Sequence, residues 1–193
     1  MMTLPDRIFF TGVPGSRWSG IAQILESLEG FNTTDRSPER SYLHNGFTGH
    51  KGAYFGRLME FDAKLDSEYI DSAWGSGSGT KLVKSHDWAY SLDRIRLKFP
   101  TDWMMLVHRP NTESFDWWKS AGGFDIAYPS YAAYQNDQIM QREISWQNQA
   151  VLNFAEENSL TWSRFTSEWI AEQFGQTIPD VNVSADIRVA ILK

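Results

Sequence analysis

The chain is 193 residues long and 41% hydrophobic, enough for one domain that buries its core without covalent staples, so 1–193 reads as a single domain. It contains no cysteine, which excludes a disulfide framework, a thiolate zinc site and a cysteine nucleophile. A net charge of −6 argues against a broad nucleic-acid footprint, because that needs clustered Lys and Arg, so an anionic ligand must be held by local positive charge.

The first readable unit is a short buried strand at Ile8-Phe9-Phe10, a tight turn over Gly12, Val13, Pro14, Gly15 and Ser16, and a helix. Trp18, Ile21, Leu25 and Leu28 recur at helical spacing, and Ser16 or Ser19 is placed to cap the helix start. Residues 30–56 are polar and aperiodic and read as loop, followed by a helix over 58–65. The glycine-serine run at 75–79 is too short for a domain linker and marks a mobile surface loop.

Residues 81–84 form a second strand, followed by a helix with Trp88, Leu92, Ile95 and Phe99 on one face, ended by Pro100. Residues 103–107 form a third strand, with a helix after Pro110 and a longer one over 138–157. Residues 160–165 read as a strand and 167–174 as a helix stopped by Gly175, leaving a polar tail. Strands alternating with helices predict an α/β fold of three layers, α/β/α, with a mostly parallel sheet whose ligands sit at the carboxyl ends of the strands. No apolar segment approaches the roughly 20 residues that span a bilayer, and the N-terminus has no signal-peptide pattern, so the expected setting is cytoplasmic, without a membrane partner.

Chemistry is therefore expected just after each strand. After the first stands Thr11-Gly12-Val13-Pro14-Gly15-Ser16-Arg17-Trp18-Ser19, whose small residues let backbone N–H groups approach an anion at a helix N-terminus. It is either such a cradle or a plain strand-to-helix turn, and it is not a Walker A loop, which ends in Gly-Lys-Ser/Thr. Arg17 is its only cation. After the second strand, Lys84 and His86 stand two residues apart, on one side if strand alternation continues. His86 is either a solvated loop histidine or a general base toward a hydroxyl, a role worth about 10²–10⁴-fold in rate. Lys84 is placed to steady charge on a leaving phosphate. After the third strand comes His108-Arg109-Pro110, where the planar fork of Arg109 suits either a phosphate or an ion pair with Glu113.

Taken together, these three strand-end segments resemble the sulfotransferases that use 3′-phosphoadenosine 5′-phosphosulfate. The resemblance implies a P-loop NTPase-like sulfotransferase fold and sulfuryl transfer from that co-substrate to a hydroxyl of a small-molecule or carbohydrate acceptor, with no metal required. In that family the first loop wraps the 5′-phosphosulfate, which here falls on Gly12, Pro14, Gly15, Ser16, Arg17, Trp18 and Ser19. A Lys-Thr-His segment supplies the base, matched here by Lys84 and His86, and Arg17 joins Lys84 at the leaving phosphate. An Arg-Asn-Pro segment with a later serine holds the 3′-phosphate, for which Arg109 and Ser114 are the candidates. Residues 160–175, with Arg164-Phe165-Thr166 before the helix, are similar to the family's last strand, Tyr-Glu-Asp turn and Phe-Leu-Gly helix end.

The chain departs from the pattern in several places. Gly15 stands where the family has Lys or Arg, and matching the prolines puts His108 on the usual arginine, Arg109 on the asparagine and Asp116 on the serine. No Arg-Lys-Gly loop follows Gly175. Two other readings therefore stay open: a non-catalytic binding module that keeps the fold, and a P-loop small-molecule kinase, which needs magnesium and a carboxylate such as Asp87.

Nine tryptophans and twelve phenylalanines promise a packed core, a ring-lined cleft, or both. Of Trp117 and Trp118, one is expected in the core and the other is free to stack on a ligand. Phe124, Tyr128, Tyr131 and Tyr134 either wall an acceptor site or anchor an irregular loop. His44 and His50 lack metal-ligand spacing and read as solvated.

Overall fold

A computed structural model describes residues 3–35, 65–75, 77–126 and 132–193. The helix expected over 58–65, apart from Leu65, and most of the loop before it fall outside these residues, as do His44, His50, Tyr128 and Tyr131. The described residues form an α/β protein with a four-stranded, mostly parallel open sheet and six α-helices.

The strands are β1 (Arg7–Gly12), β2 (Lys81–Lys84), β3 (Trp103–His108) and β4 (Arg188–Leu192). They lie in the order β2-β1-β3-β4, with β1 parallel to both neighbours and β4 antiparallel to β3. The helices are α1 (Trp18–Leu25), α2 (Ser67–Asp71), α3 (Leu92–Lys98), α4 (Asn111–Ser120), α5 (Asp137–Glu157) and α6 (Ser167–Phe174). Among the described residues no helix is long and apolar enough to cross a membrane.

Both faces of the sheet are covered, as the continuous apolar runs of parallel strands require. Ile8 and Phe10 of β1 pack with Leu82, Met105 and Val107 against Trp18, Ile21 and Leu25 of α1 and Ile170 and Phe174 of α6. Phe9, between them in sequence, points the other way. It packs with Val83, Met104 and Leu106 against Trp88, Ile95 of α3 and Val151 and Phe154 of α5. A third cluster joins Val13, in the loop after β1, to Phe115 and Trp118 of α4 and Met140 and Ile144 of α5.

Helix ends follow local chemistry. The side chain of Asn136 accepts the Ile139 amide to start α5, Thr166 accepts the Trp169 amide to start α6, and Gly175 closes α6 at φ 69°. The helix expected to carry Trp88 through Phe99 is split: a 3₁₀ turn over His86–Tyr90, capped by the Ser85 hydroxyl accepting the Asp87 amide, gives way at Ser91 to α3. The glycine run at 75–79 does not end as a free loop. Gly79, at φ +122°, sits where a Cβ would lie 2.6 Å from the Gly30 carbonyl, beside the bridge between Phe31 and Thr80.

The C-terminal part corrects the sequence reading. Residues 160–165, expected as a strand, form none and make only the bridge Ser163 to Val189. Leu160 and Trp162 pack on the α3 and α5 side and Phe165 on the α1 and α6 side, as strand alternation would place them, but the edge on which they would pair is occupied. The edge beside β3 is taken by β4, from within the expected polar tail, with His108 opposite Arg188 and Met104 opposite Leu192.

Candidate anion site at the carboxyl ends of the strands

After β1 the chain runs to β2 on one side, then crosses to β3 on the other, so the strand order reverses at β1, the position at whose carboxyl end open α/β sheets bind their ligands. The loop after β1 fills that position, and its form depends on two glycines. A Cβ on Gly12 would lie 2.8 Å from both Ser16 Oγ and Trp18 Cβ. At Gly15, with φ +79°, a Cβ would fall 1.8 Å from the Ser114 carbonyl oxygen, so the loop lies directly on the first turns of α4. The Ser16 amide donates to the Val13 carbonyl at 3.0 Å, closing the turn, while the buried Val13 side chain anchors it.

Neither Ser16 nor Ser19 caps α1, contrary to expectation. Arg17 takes the N-cap position in a left-handed conformation (φ 66°) with no side-chain cap. Ser16 turns inward behind Gly12, fully buried, and its Oγ has no hydrogen-bond partner among the described residues. Gly20 and Ile21 are the first amides to bond the Arg17 carbonyl, so the amides before them in the first turn have no carbonyl of their own helix to bond. No acidic residue stands in that first turn to offset the positive end of the helix dipole.

The guanidinium of Arg17 lies over the ring of Trp117, 4.3 Å from its centre, and that of Arg109 lies 5.7 Å from the same ring. Burial and the positive charge of Arg109 lower the Arg17 pKa, and among the described residues no carboxylate pairs with Arg17. Trp117 is 38% exposed, so this platform reaches solvent, whereas Trp118 is in the core with its indole N–H donated to the Tyr134 hydroxyl at 3.2 Å. Phe124 stacks edge-on against Trp118 and Tyr134 and so anchors this segment.

Arg109 is engaged on two sides. Its Nε donates to Asp186 Oδ2 at 2.6 Å and its Nη1 to the Gly15 carbonyl at 3.1 Å. The ion pair anticipated with Glu113 is replaced by this one, whose acid lies 77 residues downstream, just before β4. Although burial pushes the Asp186 carboxyl up, hydrogen bonds from Ser184 and Arg109 hold it below the usual carboxylate value. The Arg109 carbonyl accepts both the Ser114 hydroxyl, at 3.1 Å, and Asn148 Nδ2 of α5, at 2.8 Å. Ser114 is thus fully buried beneath the loop with its hydroxyl spent on the backbone.

The second strand end is also changed. Lys84 Nζ is ion-paired with Glu26, just past α1, the two side chains being 1% and 2% exposed. His86 does not continue the strand alternation, because the 3₁₀ turn begins there. It is buried, its Nε2 lies 3.5 Å from Asp87 Oδ1, and its carbonyl accepts the Thr11 hydroxyl at 3.4 Å. His108, opposite Arg188, packs against the Trp162 ring, and burial followed by the Arg188 charge lowers its pKa.

The strand ends therefore bring together Arg17, Arg109, Trp117 and the backbone of residues 12–19, with Ser114 and Asp186 as supports. Lys84 is held in the α1 side of the core instead. Sequence reasoning missed Glu26, Asp186 and the role of Trp117. Only Glu26 left a signal: an acid at the C-terminal end of a helix opposes the dipole and implies a nearby cation. Among the described residues no group of three or more His, Asp or Glu stands together as a metal site.

This architecture defines a doubly covered α/β sheet with an anion-compatible strand-loop-helix at the reversal of strand order. Comparison with protein-family models, curated proteins and solved structures found no match to the chain.

Proposed function

We propose that the chain is a sulfotransferase-like protein of the P-loop type, which takes a sulfuryl group from a nucleotide phosphosulfate of the 3′-phosphoadenosine 5′-phosphosulfate class and passes it to an acceptor hydroxyl. The observation that carries this reading is Arg17: a cation without a carboxylate partner among the described residues, held over Trp117 at the N-terminus of α1 and the carboxyl end of β1. The N-terminus of α1 beside it, with no acidic residue in its first turn, suits the oxygens of a phosphate or sulfate. The acceptor is a small molecule or carbohydrate, and the expected setting is cytoplasmic.

The donor supplies an activated S–O bond, whose cleavage leaves charge on the 5′-phosphate. The general-base role falls by resemblance to His86, which would have to turn out of its buried position after β2 to take the proton of the acceptor hydroxyl as its oxygen attacks sulfur. Arg17 and the amides of the loop meet the charge on the leaving phosphate. Lys84, paired with Glu26, braces α1 against β2. Arg109 braces the loop through the Gly15 carbonyl.

A second reading, a binding module without turnover, is favoured by one specific observation: both Lys84 and Arg109 are already engaged by carboxylates. Transfer of labelled sulfuryl to a panel of hydroxyl acceptors separates the two. The first reading expects transfer that His86→Ala abolishes while donor binding is kept; donor binding with no transfer to any acceptor favours the second.

A further inference from the structure

We infer that the groove between α3 and α5 is a self-association surface, which takes a second copy of this chain laid across it about a two-fold axis that runs along the groove. The inference rests on the outer faces of these two helices and is independent of the sulfuryl-transfer reading.

The 3₁₀ turn that ends at Tyr90, with α3 after it, lies alongside α5, and the two run in the same direction. Tyr90 donates its hydroxyl to Glu143 at 2.9 Å near one end, and Arg96 donates to the Asn158 side chain at the other. Between these ties lies a groove of about 310 Å³. Leu92, Ala150 and Phe154 form its apolar floor, and Asp93, Arg94 and Glu157, all exposed, stand at its rim. Helical spacing extends both walls, because Trp146 stands four residues before Ala150 and Leu97 three after Arg94. A surface helix ordinarily turns polar residues outward. Here, of the five large apolar or aromatic side chains that stay exposed among the described residues, three flank one groove: Tyr90 at 51%, Trp146 at 58% and Leu97 at 85%. An exposed apolar strip rimmed by charge marks a protein contact, and Trp, Tyr and Arg are the residues that most often carry the energy of one.

The charges point to the occupant. At a net charge of −6 the chain repels its own copies at long range, so a contact between copies needs a patch that presents both signs. This groove presents them on opposite walls, Arg94 on α3 and Glu157 on α5, without an ion pair between the two. A two-fold axis along the groove lays α3 of one copy on α5 of the other, so the contact of Arg94 with Glu157 forms twice. The same axis sets Tyr90 against Trp146, which lies one turn on from Glu143, the acid that Tyr90 bonds. A nucleic acid or an anionic membrane would instead call for a patch of basic residues alone, which Asp93 and Glu157 interrupt.

Sedimentation equilibrium of the full chain tests the surface, with the wild type, Arg94→Glu, Glu157→Arg and the double variant compared. The wild type is expected to form a dimer at micromolar concentration. Each single reversal sets like charges together at two symmetric contacts and should weaken dimerisation by about tenfold or more. The double variant restores opposite signs at both contacts and should recover most of that loss. A monomer up to about 1 mM, a dimer that both single reversals leave unchanged, or a double variant no better than the single ones overturns the inference.

Should a variant fail to fold, oxidative footprinting of the wild type decides, with Tyr90 and Trp146 read by mass spectrometry at low and high protein concentration. Protection of both that grows with concentration supports the inference. Labelling that is the same at every concentration overturns it, whether high, as for a groove left open, or low, as for one covered within a single chain.

Discussion

Arg17 and Arg109 hold their guanidiniums over one aromatic ring, 4.3 and 5.7 Å from the centre of Trp117, and of the two only Arg109 is balanced by an acid among the described residues. The asymmetry follows from the chain's course. Arg109 follows β3, where the approach to β4 delivers Asp186, while Arg17 sits on the turn after β1, where among the described residues no carboxylate pairs with it. A positive site is left at the carboxyl end of the central strand pair.

Trp117 is expected to serve that site without being needed for the fold. Trp117→Leu removes the surface over which Arg17 is held, an interaction worth about 0.5–2 kcal/mol. Sulfate affinity measured by chemical-shift titration should drop several-fold, on the order of that energy, with the urea midpoint nearly unchanged. An unchanged affinity would mean that Arg17 holds its place without the ring.

Gly15 should tolerate no side chain. Its φ of +79° and the 1.8 Å approach of a would-be Cβ to the Ser114 carbonyl oxygen predict that Gly15→Ala displaces the loop from α4 and costs more than about 1 kcal/mol in urea unfolding. Gly75, whose Cβ would meet nothing within 4 Å, is the control, and Gly75→Ala should be near neutral.

The buried pair Lys84 and Glu26 predicts strong non-additivity. Lys84→Met leaves the Glu26 carboxylate buried without its cation and should cost about 3–5 kcal/mol. Adding Glu26→Leu should restore much of that stability, and a double-mutant cycle reads the coupling. If the single substitution proves silent, Lys84 is free to act elsewhere and its bracing role fails.

At the opposite end of the sheet, Arg7 bonds both Asp71, at 2.5 and 2.9 Å, and Asp102, at 3.0 Å, and Lys81 lies 2.9 Å from Asp71. Burial pushes the Asp71 carboxyl up, but hydrogen bonds from Arg7 and Lys81 outweigh it and hold its pKa below the ordinary value. A folded-state pKa below the unfolded one gives stability that is present above about pH 4 and is lost as pH falls through the folded value. Urea midpoints measured down from neutral pH should fall more steeply below about pH 4 for the wild type than for Asp71→Asn.

The parts of the fold legible in the sequence were those whose cause is local. β1 and β3 are apolar runs bounded by turn residues, β2 is a short Leu-Val pair after a glycine-rich turn, and α6 carries its own cap at Thr166 and its own stop at Gly175. What was not legible depends on distant partners. Val189 and Ala190 became β4 only because β3 offered an edge, while 160–165 lost that edge to them. Arg109 and Asp186 are 77 residues apart and Lys84 and Glu26 58, so no spacing rule joins them. His86 left the strand pattern because the Ser85 cap started a new turn, which alternation cannot foresee.

The central claim is that Arg17 is the cation that receives the ligand's anion, and calorimetric titration with a nucleotide carrying a 5′-phosphate, on the wild type, Arg17→Lys and Arg17→Ala, tests it most directly. The account predicts binding that weakens by about tenfold or more in Arg17→Ala and is only partly kept by lysine, which lacks the planar fork. Equal binding by all three proteins would contradict it.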